Sequence, residues 1–362
     1  MNHTKKALFV GPYPPPIDGH SFAFQTIYDN YTYPKYIINQ NFKNQKFKLL
    51  SAITILFSYF KFFLRKDIDV LYLAGSRSVF GSLKDIILIR LFALRKTRII
   101  LHIHAANFDV FIESLHPFIK KIFLRSYEKV NIFISLLDEM QKEYEQFSHT
   151  AKIYTVENFY DQAFDEIIDC QPQKNDDIIN LVYFSNLIYS KGILILLDAF
   201  NILSTKYSNI RLTIAGEYSY DSSMDAVMIK KTVEKILAEN KKINYLGSVY
   251  GKAKMDLLLT SDIFILPSFY SSEAFPISIL EAMRCGCCII TTTHHYLSNI
   301  VLEKNGICVE PKSVQAVETA VEYYINNPEI LEIIKKYNVN YTKEKFSQQN
   351  YVNKLTNIIH NS

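Results

Sequence analysis

Apolar and polar residues alternate in blocks along the chain. Ten short runs rich in Ile, Val, Leu and Phe are separated mostly by longer stretches with a helical pattern. Continuous apolar runs indicate strands that are buried on both faces, and helices between them indicate parallel pairing. The predicted strands are Ala7–Val10, Val70–Leu73, Ile99–His104, Val130–Ile134, Ile153–Val156, Ile179–Phe184, Arg211–Ala215, Ile243–Leu246, Ile263–Leu266 and Cys288–Thr291.

The pattern predicts two doubly wound α/β domains in series, since a chain of 362 residues is long enough for two. Residues 1–160 carry a net charge of +8 and residues 161–362 a net charge of −4, with a polar seam near Asp161 to Asp177. We predict an N-terminal Rossmann-like domain over 1–165 and a C-terminal one over 176–341. Residues 342–362 are predicted to form a helix that packs back on the first domain. Ligands of such sheets bind outside the carboxyl ends of the strands, so we expect the active site in a cleft between the domains.

The most apolar window is Leu49 to Leu64, which is 16 residues long and contains Lys61. A membrane span needs about 20 apolar residues, so we predict a helix packed on a core, with one edge able to touch a membrane. The apolar run Ala7–Val10 is too short for a signal peptide, which favours a cytoplasmic protein.

The five cysteines argue against a disulfide framework, because their number is odd and their spacing shows no pairs. They are Cys170, Cys285, Cys287, Cys288 and Cys308. A metal site in the segment Cys285–Cys288 is the alternative. Small apolar positions are favoured, because a tetrahedral site normally uses two separated pairs of ligands.

Pro267 to Thr292 is the most informative window. It contains Glu273 in a loop and, after seven intervening residues, Glu281, about one turn into a helix that Pro276 begins. The first N–H groups of that helix, together with its dipole, form a site for an anion. A diphosphate at this site would have a carboxylate on each side to accept hydrogen bonds from sugar hydroxyls. The alternative to a binding site is a surface loop that holds Glu273 and a helix that exposes Glu281 to solvent.

This window resembles the retaining glycosyltransferases of family four, which have the two-Rossmann GT-B fold. The family pattern is Pro-Ser, a short loop, Glu-Gly-Phe-Pro, apolar residues, and Glu-Ala-Met-Ala-Cys-Gly. The corresponding segments here are Pro267-Ser268, Glu273-Ala274-Phe275-Pro276 and Glu281-Ala282-Met283-Arg284-Cys285-Gly286. The similarity continues in register at Phe184–Leu187, Lys191-Gly192, Ile214–Glu217, Tyr245–Gly247, Ser261–Pro267 and Asn305–Val309.

The first domain carries a weaker similarity. Gly11 to Pro16, followed by Asp18 to Ser21, resembles the first glycine-containing loop of the family. Ile100 to Phe108 resembles a strand that ends in a histidine and two glycines, which are alanines here.

The resemblance implies that the domain over 1–165 binds the acceptor and that the domain over 176–341 binds the donor. It also implies a set of site residues: Gly19, His104, Asn186, Lys191, Glu273, Phe275, Pro276, Ile277 and Glu281. Lys191 would contact the donor phosphates, and Glu281 the ribose hydroxyls. Glu273 and the backbone from Phe275 to Ile277 would hold the transferred sugar.

In the first domain, Gly19 would let the backbone approach the diphosphate or the acceptor. His104 would lie beside the sugar, with His102 as the alternate. A lone histidine in a strand is more often a core residue, and the resemblance is what favours His104. The family usually has an arginine near the position of Asn186, so Lys191, the helix dipole or another basic residue must offset more phosphate charge here.

The implied function is transfer of a hexosyl or N-acetylhexosaminyl group from a nucleotide-diphosphate sugar to an acceptor, with retention of configuration. No cofactor or metal is expected. Asp67-Ile68-Asp69 has the Asp-x-Asp form of metal-dependent glycosyltransferases, but it opens a strand. A dinucleotide oxidoreductase is disfavoured because no Gly-x-Gly-x-x-Gly follows a strand. The alternatives that stay open are a sugar-nucleotide epimerase of the same fold and a non-catalytic sugar-nucleotide-binding protein.

The acceptor side of the prediction comes from charge. Between Lys35 and Lys129 there are 17 basic and 6 acidic residues among many aromatic ones. Basic amphipathic surfaces bind anionic membranes. We therefore expect a peripheral protein on the inner face of the cytoplasmic membrane with a lipid-linked or saccharide acceptor, as in bacterial surface-polysaccharide assembly. Solvated helix faces are the alternative. Nucleic acid is disfavoured, because no binding motif accompanies the charge.

Overall fold

The computed structural model describes residues 5–41, 48–167 and 178–361. The chain forms two compact units, Met1–Asn158 with Gln348–Ser362, and Phe159–Ser347. The first unit ends 7 residues before the predicted limit at 165, and the second unit begins 17 residues before 176 and ends 6 residues after 341. Part of the predicted polar seam, residues 168–177, lies outside the described residues.

The first unit contains a parallel sheet in the order β2-β1-β3-β4-β5-β6. Its strands are β1 (Ala7–Gly11), β2 (Lys35–Asn39), β3 (Val70–Ala74), β4 (Arg98–His102), β5 (Ile132–Ser135) and β6 (Lys152–Thr155). Its helices before the seam are α1 (Gly19–Asn30), α2 (Lys48–Phe63), α3 (Val79–Ala93), α4 (Phe108–Glu113) and α5 (Pro117–Tyr127), and a 3₁₀ helix covers Asp138–Phe147.

Two strand predictions in this unit need correction. The segment Lys35–Asn39 was not predicted, and it forms the edge strand β2. An edge strand is only partly buried, so it lacks the continuous apolar run by which the other strands are found. The predicted strand Ile99–His104 ends at His102, so His104 lies in the loop beyond β4.

The second unit contains a parallel sheet in the order β12-β11-β10-β7-β8-β9. Its strands are β7 (Ile179–Phe184), β8 (Ile210–Ala215), β9 (Ile243–Tyr245), β10 (Ile263–Leu266), β11 (Cys288–Thr292) and β12 (Gly306–Val309). Its helices are α6 (Ala163–Ile167), α7 (Ile193–Lys206), α8 (Ala226–Glu239), α9 (Gly251–Leu259), α10 (Ile277–Arg284), α11 (Leu297–Ile300), α12 (Val314–Asn326) and α13 (Pro328–Lys345). The strand order reverses between β7 and β10, which makes the carboxyl ends of these two strands the binding position of such a sheet.

The C-terminal segment is helical, but it is not one helix from residue 341 to residue 360. Helix α13 ends at Lys345, and a separate helix, α14 (Gln348–Asn361), follows it. Helix α14 belongs to the first unit and packs against α1, where the hydroxyl of Tyr351 donates to the carbonyl of Ala23 at 3.2 Å.

The cysteines behave as small core residues. Cys285, Cys287 and Cys288 are buried, and the thiol of Cys288 donates to the carbonyl of Leu331 at 3.3 Å. Burial raises the pKa of the Cys288 thiol, which disfavours the thiolate that metals bind. Within residues 5–41, 48–167 and 178–361, no group of three or more His, Cys, Asp or Glu side chains is arranged so that it could hold a metal ion. Cys170 lies outside this part of the chain.

Asp67 forms ion pairs with a lysine and an arginine at the amino end of β3. Its carboxylate lies 3.0 Å from the ammonium of Lys6 and 3.2 Å from the guanidinium of Arg65, and it accepts a hydrogen bond from the hydroxyl of Tyr36 at 3.0 Å. The carboxylate of Asp69 accepts from the backbone N–H of Lys6 at 2.9 Å. Both carboxylates thus stabilise the start of the sheet, away from the carboxyl ends of the strands.

In the described part of the chain, no helix combines the length and the hydropathy that crossing a membrane requires.

Candidate functional site

Lys191 and Glu273 meet at the point where the strand order of the second sheet reverses. Lys191 ends a 3₁₀ turn after β7, and Glu273 lies in the loop between β10 and α10. The Lys191 Nζ is 3.4 Å from Oε2 of Glu273, and their side chains are 19% and 7% exposed. The ammonium of Lys191 also lies 5.6 Å from the ring centroid of Tyr270. The arrangement leaves a mostly buried ion pair at the carboxyl edge of the sheet.

Gly192 is what allows this approach. It adopts φ +80°, and a Cβ at this position would lie 2.1 Å from the carbonyl oxygen of Pro267. Only glycine adopts this conformation readily and leaves room for the neighbouring backbone. The Lys-Gly pair and the Pro-Ser pair are therefore linked by packing, since the glycine sets the lysine against the loop that carries Glu273.

Ser268 fixes the carboxylate. Its buried hydroxyl donates to Oε2 of Glu273 at 2.8 Å and accepts from the N–H of Tyr270 at 3.2 Å. The next residue, Phe269, donates its N–H to the carbonyl of Ser190 at 2.7 Å, which ties this loop to the turn that contains Lys191. Ser268 belongs to the motif that carries the family resemblance, but no role was predicted for it.

Two further basic side chains lie near this loop and were not predicted. The Nε2 of His294 is 3.1 Å from the carbonyl oxygen of Tyr270, and burial lowers the pKa of His294, although Glu273 opposes that shift. The ammonium of Lys312 lies 5.0 Å from the ring centroid of Phe269, close enough to His294 to lower its pKa further. Both residues follow strands of the same sheet, so only the fold brings them to this loop.

Helix α10 begins directly after this loop. Pro276 occupies its N-cap position without a side-chain hydrogen bond, and Ile277 is the first helical residue. The first N–H groups of a helix have no partner within it, so this end offers donors to an anion. Phe275 is buried against the ring of Phe346, at a centroid distance of 5.6 Å, which fixes the entry of the chain into the helix.

Glu281 lies on the inner side of α10 and is paired with a lysine. Its Oε1 accepts from the ammonium of Lys254, on α9, at 2.7 Å, and Asp161 lies 4.0 Å from the same ammonium. Burial raises the pKa of Glu281, and Lys254 opposes this shift by favouring the carboxylate. The ring of Phe164 covers the other side of Lys254, 5.2 Å from its ammonium.

A group of three histidines lies in the first unit. The ring of His104 is 4.0 Å from that of His102 and 5.1 Å from that of His20, measured between centroids. The Nδ1 of His102 is 2.8 Å from the hydroxyl of Tyr72. Burial lowers the pKa of all three imidazoles, that of His102 to about 3. The three rings are therefore neutral at physiological pH and can both donate and accept hydrogen bonds. Gly19 is the exposed first residue of α1, directly before His20.

Comparison with known proteins identifies the family of the second unit. The family model of the glycosyl transferases group 1 matches residues 164–341, which contain Lys191, Glu273 and Glu281. Residues 164–341 belong to the group 1 glycosyl transferases. This group 1 domain corresponds to the second unit apart from a few residues at each end.

Curated relatives of the chain include enzymes named as glycosyltransferases. The chain is 27% identical over 191 residues to a subunit of the phosphatidylinositol N-acetylglucosaminyltransferase of Arabidopsis thaliana, covering 51% of this chain and 40% of the relative. It is 27% identical over 166 residues to the lipopolysaccharide 1,2-N-acetylglucosaminetransferase of Salmonella typhimurium, covering 44% and 43%. The chain thus spans less than half the length of these relatives.

The fold is similar over nearly the whole chain to that of Anabaena Alr3699/HepE, solved in complex with UDP. The TM-score is 0.70 at 14% identity, covering 98% of this chain and 99% of that one. Together with the two parallel sheets, this similarity shows that the chain has the GT-B fold.

The predicted site residues fall into three places. Lys191, Glu273, Phe275, Pro276 and Ile277 lie together in the group 1 domain, and Glu281 follows one turn along α10. Gly19 and His104 belong to the first unit. Asn186 is exposed in the loop after β7, where its carbonyl accepts from the hydroxyl of Tyr183 at 3.0 Å.

Proposed function

We propose that the chain is a glycosyltransferase that uses a nucleoside-diphosphate sugar as donor. The observation that carries the proposal is the buried Lys191–Glu273 pair beside the N-terminus of α10, at the switch point of the group 1 domain. An ammonium and a helix N-terminus suit a diphosphate, and a carboxylate fixed by Ser268 suits sugar hydroxyls. The structures of Alr3699/HepE with UDP support a uridine nucleotide as the first donor to examine.

The chemistry follows from where charge develops. In the reaction the acceptor oxygen forms a bond to the anomeric carbon while the bond from that carbon to the diphosphate breaks. Negative charge grows on the leaving diphosphate, where Lys191 and the first N–H groups of α10 stabilise it. We propose that configuration is retained, that the acceptor attacks on the face of the leaving group, and that the departing phosphate oxygen takes the acceptor's proton. No metal is needed in this scheme.

Lys312 is our candidate for the charge that an arginine near Asn186 would supply. The side chain of Lys312 is exposed. Its charge lowers the pKa of His294, and the charge of Glu273 raises the same pKa. A side chain in this position can reach a bound diphosphate without being fixed before the donor arrives.

The acceptor site is proposed for the first unit, around Gly19 and His104. Neutral imidazoles suit hydroxyl groups, because they donate and accept without adding charge. A saccharide or lipid-linked saccharide fits this chemistry, and a role in bacterial surface-polysaccharide assembly is supported by similarity to the Salmonella lipopolysaccharide enzyme. We propose that the protein works on the inner face of the cytoplasmic membrane.

A panel of nucleotide sugars tests the proposal. The protein is incubated with each donor and a mixture of saccharide and lipid-extract acceptors, and released nucleotide and sugar configuration are both measured. Acceptor-dependent release of nucleoside diphosphate is expected. A changed sugar that stays on the nucleotide would instead make the protein an epimerase. Tight donor binding with no turnover would make it a binding protein.

A further inference from the structure

Helix α2 presents apolar side chains to solvent. Its inner face is formed by Ile55 and Tyr59, which are buried in the core of the first unit. The outer face of α2 extends to Leu64, the first residue after the helix. On this face, the side chain of Phe57 is 70% exposed. The exposed residues of this face are Ile53, Leu56, Phe57, Phe60 and Leu64. Their spacing places them on one stripe, opposite the face that the core uses.

Helix α3 repeats this arrangement. It buries Ile86, Ile89 and Phe92 against the same core. On its other side, Phe80 is 83% exposed, and Leu94, just after the helix, is 77% exposed. The full stripe consists of Val79, Phe80, Leu83, Ile87 and Leu94. An ordinary surface helix would place polar residues at these positions.

The two stripes belong to one surface. Helices α2 and α3 pack against each other, and the ring of Phe63 lies 6.4 Å from that of Phe92. The guanidinium of Arg95 donates to the carbonyls of Phe63 and Arg65, which fastens the end of α2 to the end of α3. We call the ten exposed residues of the two stripes the α2–α3 surface. Large apolar side chains exposed together on neighbouring helices usually mark an interaction site.

The charges around the α2–α3 surface are basic. Lys61 and Lys66 are exposed at the end of α2, and Arg90 and Lys96 are exposed on and just after α3. Residues 35–96 contain three acids, Asp67, Asp69 and Asp85; Asp67 is paired with Lys6 and Arg65, and Asp69 accepts from the backbone of Lys6. The side chain of Asp85 is buried, so it adds no acid to this surface.

We propose that the α2–α3 surface docks on a bilayer that contains anionic lipids, with its apolar side chains at the level of the lipid headgroups. Exposed phenylalanines among lysines and arginines match such an interface in both polarity and charge. A symmetric contact with a second copy is disfavoured, because it would bring the basic residues of both copies together without an acid to pair with them. The α2–α3 surface is one part of the basic stretch Lys35–Lys129 expected from sequence; the part on α5 contributes less, since Phe123 is in the core and Lys120 is paired with Glu113 at 2.6 Å.

The proposal deepens the proposed function and rests on it for the lipid-linked acceptor. The experiment uses the whole chain without donor, so vesicle binding and sugar transfer can fail separately. Binding is measured by co-sedimentation with vesicles of phosphatidylcholine alone and with about a third of anionic phosphatidylglycerol. We expect strong binding to the anionic vesicles at low salt and weakening as salt rises, because the Debye length falls from about 30 Å at 0.01 M to about 8 Å at 0.15 M.

Two variants separate the apolar and electrostatic contributions. Phe57→Ser, Phe60→Ser and Phe80→Ser together should lower the partition coefficient by about tenfold or more, because binding scales with the apolar area buried in the interface. Lys61→Glu, Lys66→Glu and Lys96→Glu together should lower it by on the order of 100-fold on anionic vesicles, at about fivefold per charge.

Matched controls in the second unit carry the same number and kind of changes. The apolar control is Val227→Ser, Met228→Ser and Ile333→Ser, and the charge control is Lys231→Glu, Lys235→Glu and Lys241→Glu, all at exposed positions. Both controls should bind like the unchanged protein, and circular dichroism should show all variants folded. Failure of the unchanged protein to bind at low salt would overturn the proposal, as would equal losses in the controls. Dimers in solution that the Phe variant dissolves would assign the surface to a second copy instead.

Discussion

The ammonium of Lys254 lies 2.7 Å from Oε1 of Glu281, and the two side chains are only 15% and 4% exposed. The carboxylate that we propose for the donor ribose is therefore compensated before any donor binds. A buried ion pair need not stabilise a fold by its presence, but removal of one partner leaves an uncompensated charge in the interior. The structure and the binding chemistry of α10 are thus coupled through Lys254.

Replacing Lys254 tests this coupling by its effect on stability. We expect Lys254→Met to lower the free energy of unfolding by about 3–5 kcal/mol, because Glu281 loses its partner while buried. The double variant Lys254→Met, Glu281→Leu should recover most of the loss, since neither charge is left. Urea unfolding at pH 7 measures both. Lys252→Met is the matched control, because its pair with Asp256 is exposed and such pairs contribute about 0.3–0.5 kcal/mol.

Replacing Glu281 tests its role toward the nucleotide. Glu281→Ala should weaken binding of the bare nucleoside diphosphate by about 1.5–3 kcal/mol, the contribution of a hydrogen bond to a charged group. Calorimetry with the ribose and the 2′,3′-dideoxyribose forms supplies the control. The dideoxy form should bind the unchanged protein more weakly, and the variant should no longer distinguish the two forms. Unchanged affinity of Glu281→Ala for the ribose form would remove Glu281 from the donor site.

The buried histidines predict a loss of stability in acid. Burial lowers the pKa of His102 to about 3, so the folded protein does not bind a proton there that the unfolded chain binds below about pH 6.5. Stability from this residue is therefore complete above pH 6.5 and falls as the pH drops toward 3. The loss at pH 5 is about 2 kcal/mol for one such residue.

The variant His102→Asn isolates this effect. Asparagine keeps a polar atom near the position that bonds Tyr72 but does not titrate. Its free energy of unfolding should therefore fall less between pH 7 and pH 5 than that of the unchanged protein, by about 2 kcal/mol. His149→Asn, at an exposed position, serves as the control and should follow the unchanged protein. Equal pH dependence of all three proteins would contradict this account, because it would show that His102 binds a proton as readily in the folded protein as in the unfolded chain.

Metal removal tests the charge balance of the donor site. We expect turnover to persist in a chelator, because Lys191 and the start of α10 meet the diphosphate charge. Asp67→Asn should leave turnover unchanged, since Asp67 is already held by Lys6 and Arg65 at the other end of its sheet. Complete loss of turnover in chelator, restored by Mg²⁺ or Mn²⁺, would contradict this account.

The sequence predicts those features that are carried by local pattern. Fully buried strands such as β1 and β3 stand out as apolar runs, and Glu273 and Glu281 lie in one contiguous motif. The contact of Lys254 with Glu281 joins residues 27 positions apart on two helices, and no spacing rule connects them. His294 and Lys312 likewise lie near the loop that carries Glu273 only because β11 and β12 follow β10 in the sheet order.

The sequence predicts that one edge of the Leu49–Leu64 helix can touch a membrane, but it does not show which apolar residues of α2 and α3 are exposed. Apolar residues in a helix are assigned to the core by default, because burial is the usual outcome for them. Phe57 and Phe123 look alike in sequence, but Phe57 faces solvent and Phe123 stacks on Tyr127 at 3.7 Å. Only the packing of α2 and α3 on the sheet shows which apolar face is left over.

The most direct measurement of the central claim is the initial rate of nucleoside-diphosphate release from the donor identified in the panel. It is compared between the unchanged protein, Lys191→Met, Glu273→Gln and the control Lys252→Met. We predict a loss of about 100-fold or more for Lys191→Met and Glu273→Gln, because each removes a group that meets the reacting sugar diphosphate. Lys252→Met should keep the full rate. Full rates for the Lys191 and Glu273 variants, with donor saturating, would contradict the assignment of the donor site to this ion pair.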